Sequence, residues 1–270
     1  MRAGPYLQAT LKRDRAIVTV SLFLVVVLAA AYTIAGVGMH MSALTMTRMA
    51  IQMPGMAMPP VVWSAAYAAL VFLMWWVMVV AMMAPSAAPM VLVHAAILRK
   101  RDASEPPFAA SALFLSGYLT VWALFSMAAT ASQWALESIG VVTGMMEIAS
   151  PLLGGTVLIA AGLYQLTPLK AACLKHCQNP VLFIVHHWRP GGGGAFRMGL
   201  AHGAFCLGCC WFLMGLLFVG GIMNLVWIAG VALFVGFEKF AAGRRWIPLA
   251  SGAALTTAGL YWIARSALAA

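Results

Sequence analysis

Seven long apolar runs, separated by short polar or basic pieces, limit what this chain can become. They cover residues 16–35, 61–84, 108–131, 151–167, 196–219, 222–240 and 246–264. A hydrocarbon core of about 30 Å takes roughly 20 apolar residues to cross as a helix. Within it, only helices and closed barrels satisfy every backbone polar group. The runs lack the alternation of barrel strands, so each predicts a helix. Only 8% of the residues are charged and 64% are hydrophobic, whereas soluble domains carry about a quarter charged residues. The expectation is an all-α, polytopic membrane bundle of about seven transmembrane helices. Residues 1–15 form an N-terminal segment and residues 16–270 a single transmembrane domain. The first run has no small-residue cleavage site after it and is long enough to span, so it reads as a retained helix rather than a signal peptide.

The basic residues orient the bundle. With the N-terminus in the cytoplasm, inside segments hold Arg2, Lys12, Arg13, Arg15, Arg99, Lys100, Arg101, Lys170, Lys175, Arg189, Arg197, Lys239, Arg244 and Arg245. Only Arg48 and Arg265 fall outside. Cytoplasmic loops of membrane proteins are enriched in Lys and Arg, so this arrangement places the protein in an inner membrane with a cytoplasmic N-terminus. The net charge of +10 is thereby an orientation signal. No basic patch has a folded domain to carry it, which argues against nucleic-acid binding.

The chemistry concentrates in two places on that frame. Within the fifth run, HGAFCLGCC sets His202, Cys206 and Cys210 at four-residue steps, with Cys209 on their flank and Met214 continuing the stripe. Residues three and four apart share a helix face, so these side chains form one soft-ligand stripe in hydrocarbon. It climbs from about 7 Å to about 20 Å inward of Arg197, at 1.5 Å per residue. In the cytoplasmic connection 168–196, CLKHC places Cys173, His176 and Cys177 together. Residues Pro180 to Arg197, with four successive glycines, read as flexible. A site drawn from Cys173, Cys177, Cys206 and Cys209 or Cys210, with His176 or His202, has enough ligands for a tetrahedral ion. A metal ion deprotonates its thiol ligands outright, which reverses the inertness of a thiol buried in apolar surroundings.

Several features fall near these sites without being tied to them. The outer loop, residues 36–60, is rich in methionine and carries Met39, His40 and Met41. Thioether and imidazole suit Cu(I). Met74, Met78 and Met82 lie at four-residue steps in the second run, a pattern equally that of core packing, and Met83 follows. Pro85 and Pro89 are expected to break that helix, leaving His94 in a short interfacial piece. Glu238, at the inner end of the sixth run, is an ionisable residue at the membrane edge and so a functional candidate. Gly154, Gly155 and Gly162 permit close helix approach.

Copper(I) is the ion these donors favour, with zinc or iron as alternatives. Three functional readings follow. The first is a metal-handling membrane protein, without enzymatic activity, that transports copper or delivers it to a metalloprotein partner. The second is thiol–disulfide exchange by Cys206 and Cys209, which have CxxC spacing, linked to quinones. Against this, disulfides persist in oxidising compartments and these cysteines face the cytoplasm; five cysteines also leave one unpaired in any intrachain framework. The third is a structural or assembly factor in which the cysteines are small hydrophobes. No ATP-binding motif is present, so transport would draw on a gradient or a partner.

The segments AMMAPSAAPM, GLYQLTPLKAACLKHCQNP, HGAFCLGCCWFLM and GIMNLVWIAGVALFVGFEK resemble a bacterial family of metal-binding integral membrane proteins. The resemblance runs from the second apolar run through the sixth. It implies a multi-span inner-membrane protein with a metal site at Cys173, His176, Cys177, Cys206, Cys209 and Cys210, and it implies no particular reaction.

Overall fold

A computed structural model describes residues 5–37, 41–53, 62–101, 107–241, 243–244 and 246–269. Its helices, in chain order, are α1 (Pro5–Ala35), α2 (Ala43–Gln52), α3 (Ala65–Arg101), α4 (Pro107–Ser138), α5 (Pro151–Gln165) and α6 (Pro168–Gln178). They continue with α7 (Pro180–His187), α8 (Gly191–Gly215), the short α9 (Leu217–Gly220), α10 (Leu225–Phe240) and α11 (Trp246–Ala269). Among the described residues there is no strand, only one isolated bridge between Val142 and Ile148. The protein is an all-α bundle.

The described part of each of the seven apolar runs is largely helical. Five stretches are long and apolar enough to cross a membrane: Ala16–Ala35, Ala65–Arg99, Phe108–Ser138, Gly191–Gly220 and Trp246–Leu268. The other two, α5 and α10, have 15 and 16 residues, or roughly 22–24 Å at 1.5 Å per residue. Together α5 and α6 pass the same test as a pair bent by 65°. Gly199 of α8 lies under the backbone of Phe114, and Gly203 lies against Tyr118 and Val121, so α4 and α8 run parallel.

Cross-helix side-chain bonds fix the other directions. Trp63 donates to Glu137 (2.8 Å), Trp75 to Gln133 (2.8 Å) and Trp76 to the Leu119 carbonyl (3.3 Å), so α3 runs antiparallel to α4. Gly155 meets Gly259, and Gly162 meets Gly252 and Thr256. The pair α5–α11 is therefore antiparallel and packed through small residues, as close helix pairs in membranes are. On the side away from the core, Phe23, Leu28, Leu124, Leu233 and Leu249 are exposed, giving the bundle an apolar outer surface.

Local sequence explains most helix ends. Thr167 caps α6 by accepting from the Lys170 N–H, with Pro168 at the first helical position, where its missing donor costs nothing. Asn224 caps α10 in the same way at Val226. Gly221 sits at φ +91° between α9 and α10, a conformation glycine reaches without strain.

Three regions differ from the sequence expectation. Pro85 and Pro89 do not end α3, which continues to Arg101. Around the prolines α3 packs against α1, α4 and α10, and the Met83 carbonyl accepts from Ser86 Oγ (2.8 Å) and Tyr118 Oη (3.2 Å); enclosure by neighbouring helices lets membrane helices tolerate proline. In consequence His94 is not interfacial but buried, 1% exposed. Gly191 to Gly194 are the first residues of α8 rather than a flexible connection, and Gly192 is packed against Leu113. In the Met-rich loop, α2 buries Met46, and Thr47 Oγ1 accepts from the Leu225 N–H at 2.9 Å. Met41 packs partly buried against the main core. Met39 and His40 lie outside the described residues.

Candidate metal centre

The site is assembled where α3, α4, α6, α8 and α10 meet. On α8, the four-residue steps put His202, Cys206 and Cys210 on the buried face together with Cys209, all at 2% exposure or less. Gly199 and Gly203 lack side chains where α4 crosses, and this close approach delivers Tyr118 to the stripe. Tyr118 Oη lies 3.2 Å from Cys206 Sγ. The bend after α5 then lays α6 against α8. Cys173 seats its sulfur over Gly208, where a Cβ would come within 2.7 Å of it. Tyr164 donates to the Gly208 carbonyl, which ties the end of α5 to the same turn of α8.

One turn along α6, Cys177 meets the stripe itself. Its thiol adjoins those of Cys206 and Cys209, and the thiol of Cys210 adjoins the same two. Cys209 and Cys210 also donate to the Cys206 carbonyl, at 3.1 and 3.0 Å. All five cysteines are free thiols. Four of them thus form one knot of adjoining thiols drawn from two helices. Among the described residues, no three His, Cys, Asp or Glu side chains are arranged to hold an ion as they stand. Donation by Cys209 and Cys210 to a backbone carbonyl turns those two thiols away from a shared centre.

A buried ammonium adjoins the knot. Lys239 of α10, 6% exposed, places Nζ 3.0 Å from Cys206 Sγ, 2.9 Å from Ser86 Oγ and 3.8 Å from Met83 Sδ. A buried charge is expensive unless it is paired and hydrogen-bonded. Here the nearest group able to carry a compensating negative charge is a thiol. The preceding residue has a conventional partner: Glu238 Oε2 accepts from Lys170 Nζ at 2.6 Å. Lys170 also donates to Gln165, and Gln178 donates to the Glu238 carbonyl at 2.8 Å.

The residues singled out in the sequence therefore separate into groups. Cys177, Cys206, Cys209 and Cys210 come together, with Cys173 beside them and Met83 against Lys239. Met82 and Met214 are buried in the surrounding apolar core. Glu238 is committed to Lys170. Neither histidine is hydrogen-bonded to a thiol of the knot. His176 stacks on Phe205, with centroids 4.0 Å apart, and its Nδ1 is bonded to the Ala172 carbonyl at 2.9 Å. His202 lies among Phe114, Tyr118 and Phe183 at 5.4–6.1 Å, and its Nδ1 has no partner. Sequence reasoning missed Lys239 and Tyr118. Their signals were present: a lysine inside the last apolar turn of α10, and a tyrosine in an apolar helix, whose hydroxyl needs a partner when buried.

Fold and site together define a helical bundle with an apolar outer surface, carrying a cluster of free thiols beside a buried lysine. The chain belongs to the PpoB2 family, whose model, described as "Copper chaperone", matches residues 72–262. That span contains every residue of the thiol knot and its lysine. No curated protein and no solved structure matches the chain.

Proposed function

We propose that the protein is a copper(I) chaperone embedded in the inner membrane. Copper(I) is its cargo, held by thiolates drawn from Cys177, Cys206, Cys209 and Cys210 and passed to a metalloprotein acceptor. The observation that carries the reading is the convergence of four thiols from α6 and α8 beside the Lys239 ammonium. Soft thiolates select Cu(I). Two thiolates around one Cu(I) leave a net charge of −1, which the lysine offsets; the same pair around a divalent ion leaves a neutral centre beside an uncompensated ammonium. Zinc and iron are less well matched on that count. Loading needs only side-chain rotation of Cys209 and Cys210 away from the Cys206 carbonyl, together with loss of thiol protons.

The basic ends of α3, α6, α8 and α10 lie at the same end of the bundle as the site, which supports a cytoplasm-facing centre. Disulfide exchange is less well supported. Thiol exchange needs an accessible sulfur, whereas Cys206 and Cys209 lie deep inside α8 and are fully covered.

The test is equilibrium competition between the purified full chain and a Cu(I) chelator. The wild type should retain about one Cu(I) per chain, and Cys206→Ser and Cys177→Ser should each lose it by at least tenfold in affinity. Unchanged retention in both variants would overturn the proposal.

A further inference from the structure

His176 and His187 lie side by side in the last turns of α6 and α7. Their ring centroids are 6.2 Å apart, with the planes at 75°. In each ring Nδ1 is bonded to the carbonyl four residues back, Ala172 at 2.9 Å and Phe183 at 3.0 Å. A carbonyl only accepts, so Nδ1 carries the proton in both neutral rings and Nε2 keeps its lone pair. Metal-ligating histidines are oriented by this kind of bond from the second ring nitrogen. Aromatic stacking also holds both rings: His176 on Phe205 at 4.0 Å and His187 on Phe183 at 4.5 Å. Both side chains are half-buried, open to an incoming ion in a way the α8 thiols Cys206, Cys209 and Cys210 are not.

Two further features favour a cation there. A helix C-terminus carries a partial negative charge, and this pair sits at two of them. The spacing also fits one ion: two metal–nitrogen bonds of about 2 Å and two ring radii span roughly 6 Å. His187 was not among the ligands expected from the sequence, and His176 was expected to complete the thiol site. In the fold His176 turns away from the knot while the next residue, Cys177, enters it.

We propose that His176 and His187 form a second copper(I) site, a two-coordinate imidazole station at the mouth of the thiol cluster. It rests on the copper reading and deepens it. Cys177 is the next residue of α6, on a face about 100° away, so exchange of copper between the station and the buried site is the part of the proposal that the transfer measurement reads. The station is weaker than the thiol site because neutral imidazoles carry no charge to set against the ion.

The experiment uses the full chain in detergent, titrated with Cu(I) and followed by X-ray absorption and by transfer to a chelator. The wild type should bind a weaker second equivalent with a nitrogen first shell. His187→Phe and His176→Phe, which retain an aromatic ring, should each abolish that equivalent, keep the sulfur-bound one and slow transfer from it at least tenfold. His186→Phe, at an exposed neighbour, should change neither. Overturning results are a wild type with only the sulfur-bound ion, or a His187→Phe variant that keeps the second equivalent and the transfer rate. Absence of sulfur-bound copper from the wild type would instead remove the copper reading on which the station depends.

Discussion

Glu238 and Lys239 are neighbours on α10, both buried, yet they answer the problem of a buried charge in opposite ways. Glu238 meets Lys170 at 2.6 Å, so an acid and a base neutralise each other. Lys239 faces a thiol, a hydroxyl and a thioether, and no carboxylate is among those partners. The first pair ties α10 to α6 and is electrically neutral without any ligand. The second becomes electrically complete when Cys206 is a thiolate, which is the form that binds metal. The contrast separates a charge that holds helices together from one that shapes the chemistry of the site.

Substitutions can pull the two roles apart. Lys170→Met leaves Glu238 buried without its cation and should destabilise the protein by about 3–5 kcal/mol, seen as a large drop in unfolding temperature in detergent. The double variant Lys170→Met/Glu238→Leu should recover most of that loss; failure to recover would mean the pair does more than neutralise itself. Lys239→Met should show the reverse pattern. Loss of a hydrogen bond to a charged group is worth about 1.5–3 kcal/mol, so Cu(I) affinity should fall roughly tenfold to a hundredfold with little change in unfolding temperature. A stability loss as large as that of Lys170→Met would erase the distinction. Ser86→Ala removes one partner of Lys239, about 1 kcal/mol. Its expected effect is a several-fold drop in affinity, and it should not affect the Lys170 pair.

Much of the fold was legible because apolar runs of membrane length have few alternatives to helix. The α8 stripe was legible for a similar reason, since four-residue spacing fixes a shared face whatever surrounds it. Relations between helices were not. Neither Cys177 meeting Cys206 nor Cys173 resting on Gly208 follows from spacing, because both depend on the 65° turn between α5 and α6. His176 was grouped with Cys177 because they are adjacent, but one residue rotates a helix position by about 100°, enough to send the imidazole to Phe205. Pro85 and Pro89 read as breakers because the local penalty was visible while the packing of α3 against α1, α4 and α10 was not. Lys239 was counted as an orientation signal, and its burial against Cys206 appears only once α10 is packed onto α3 and α8.

The most direct test of the central claim is X-ray absorption at the copper edge, on the full protein loaded with one equivalent of Cu(I). Wild type should show a first shell of sulfur, and Cys206→Ser should lose that shell along with the ion. A wild-type first shell made only of nitrogen or oxygen, or a sulfur shell unchanged in Cys206→Ser, would contradict a thiolate-held copper centre.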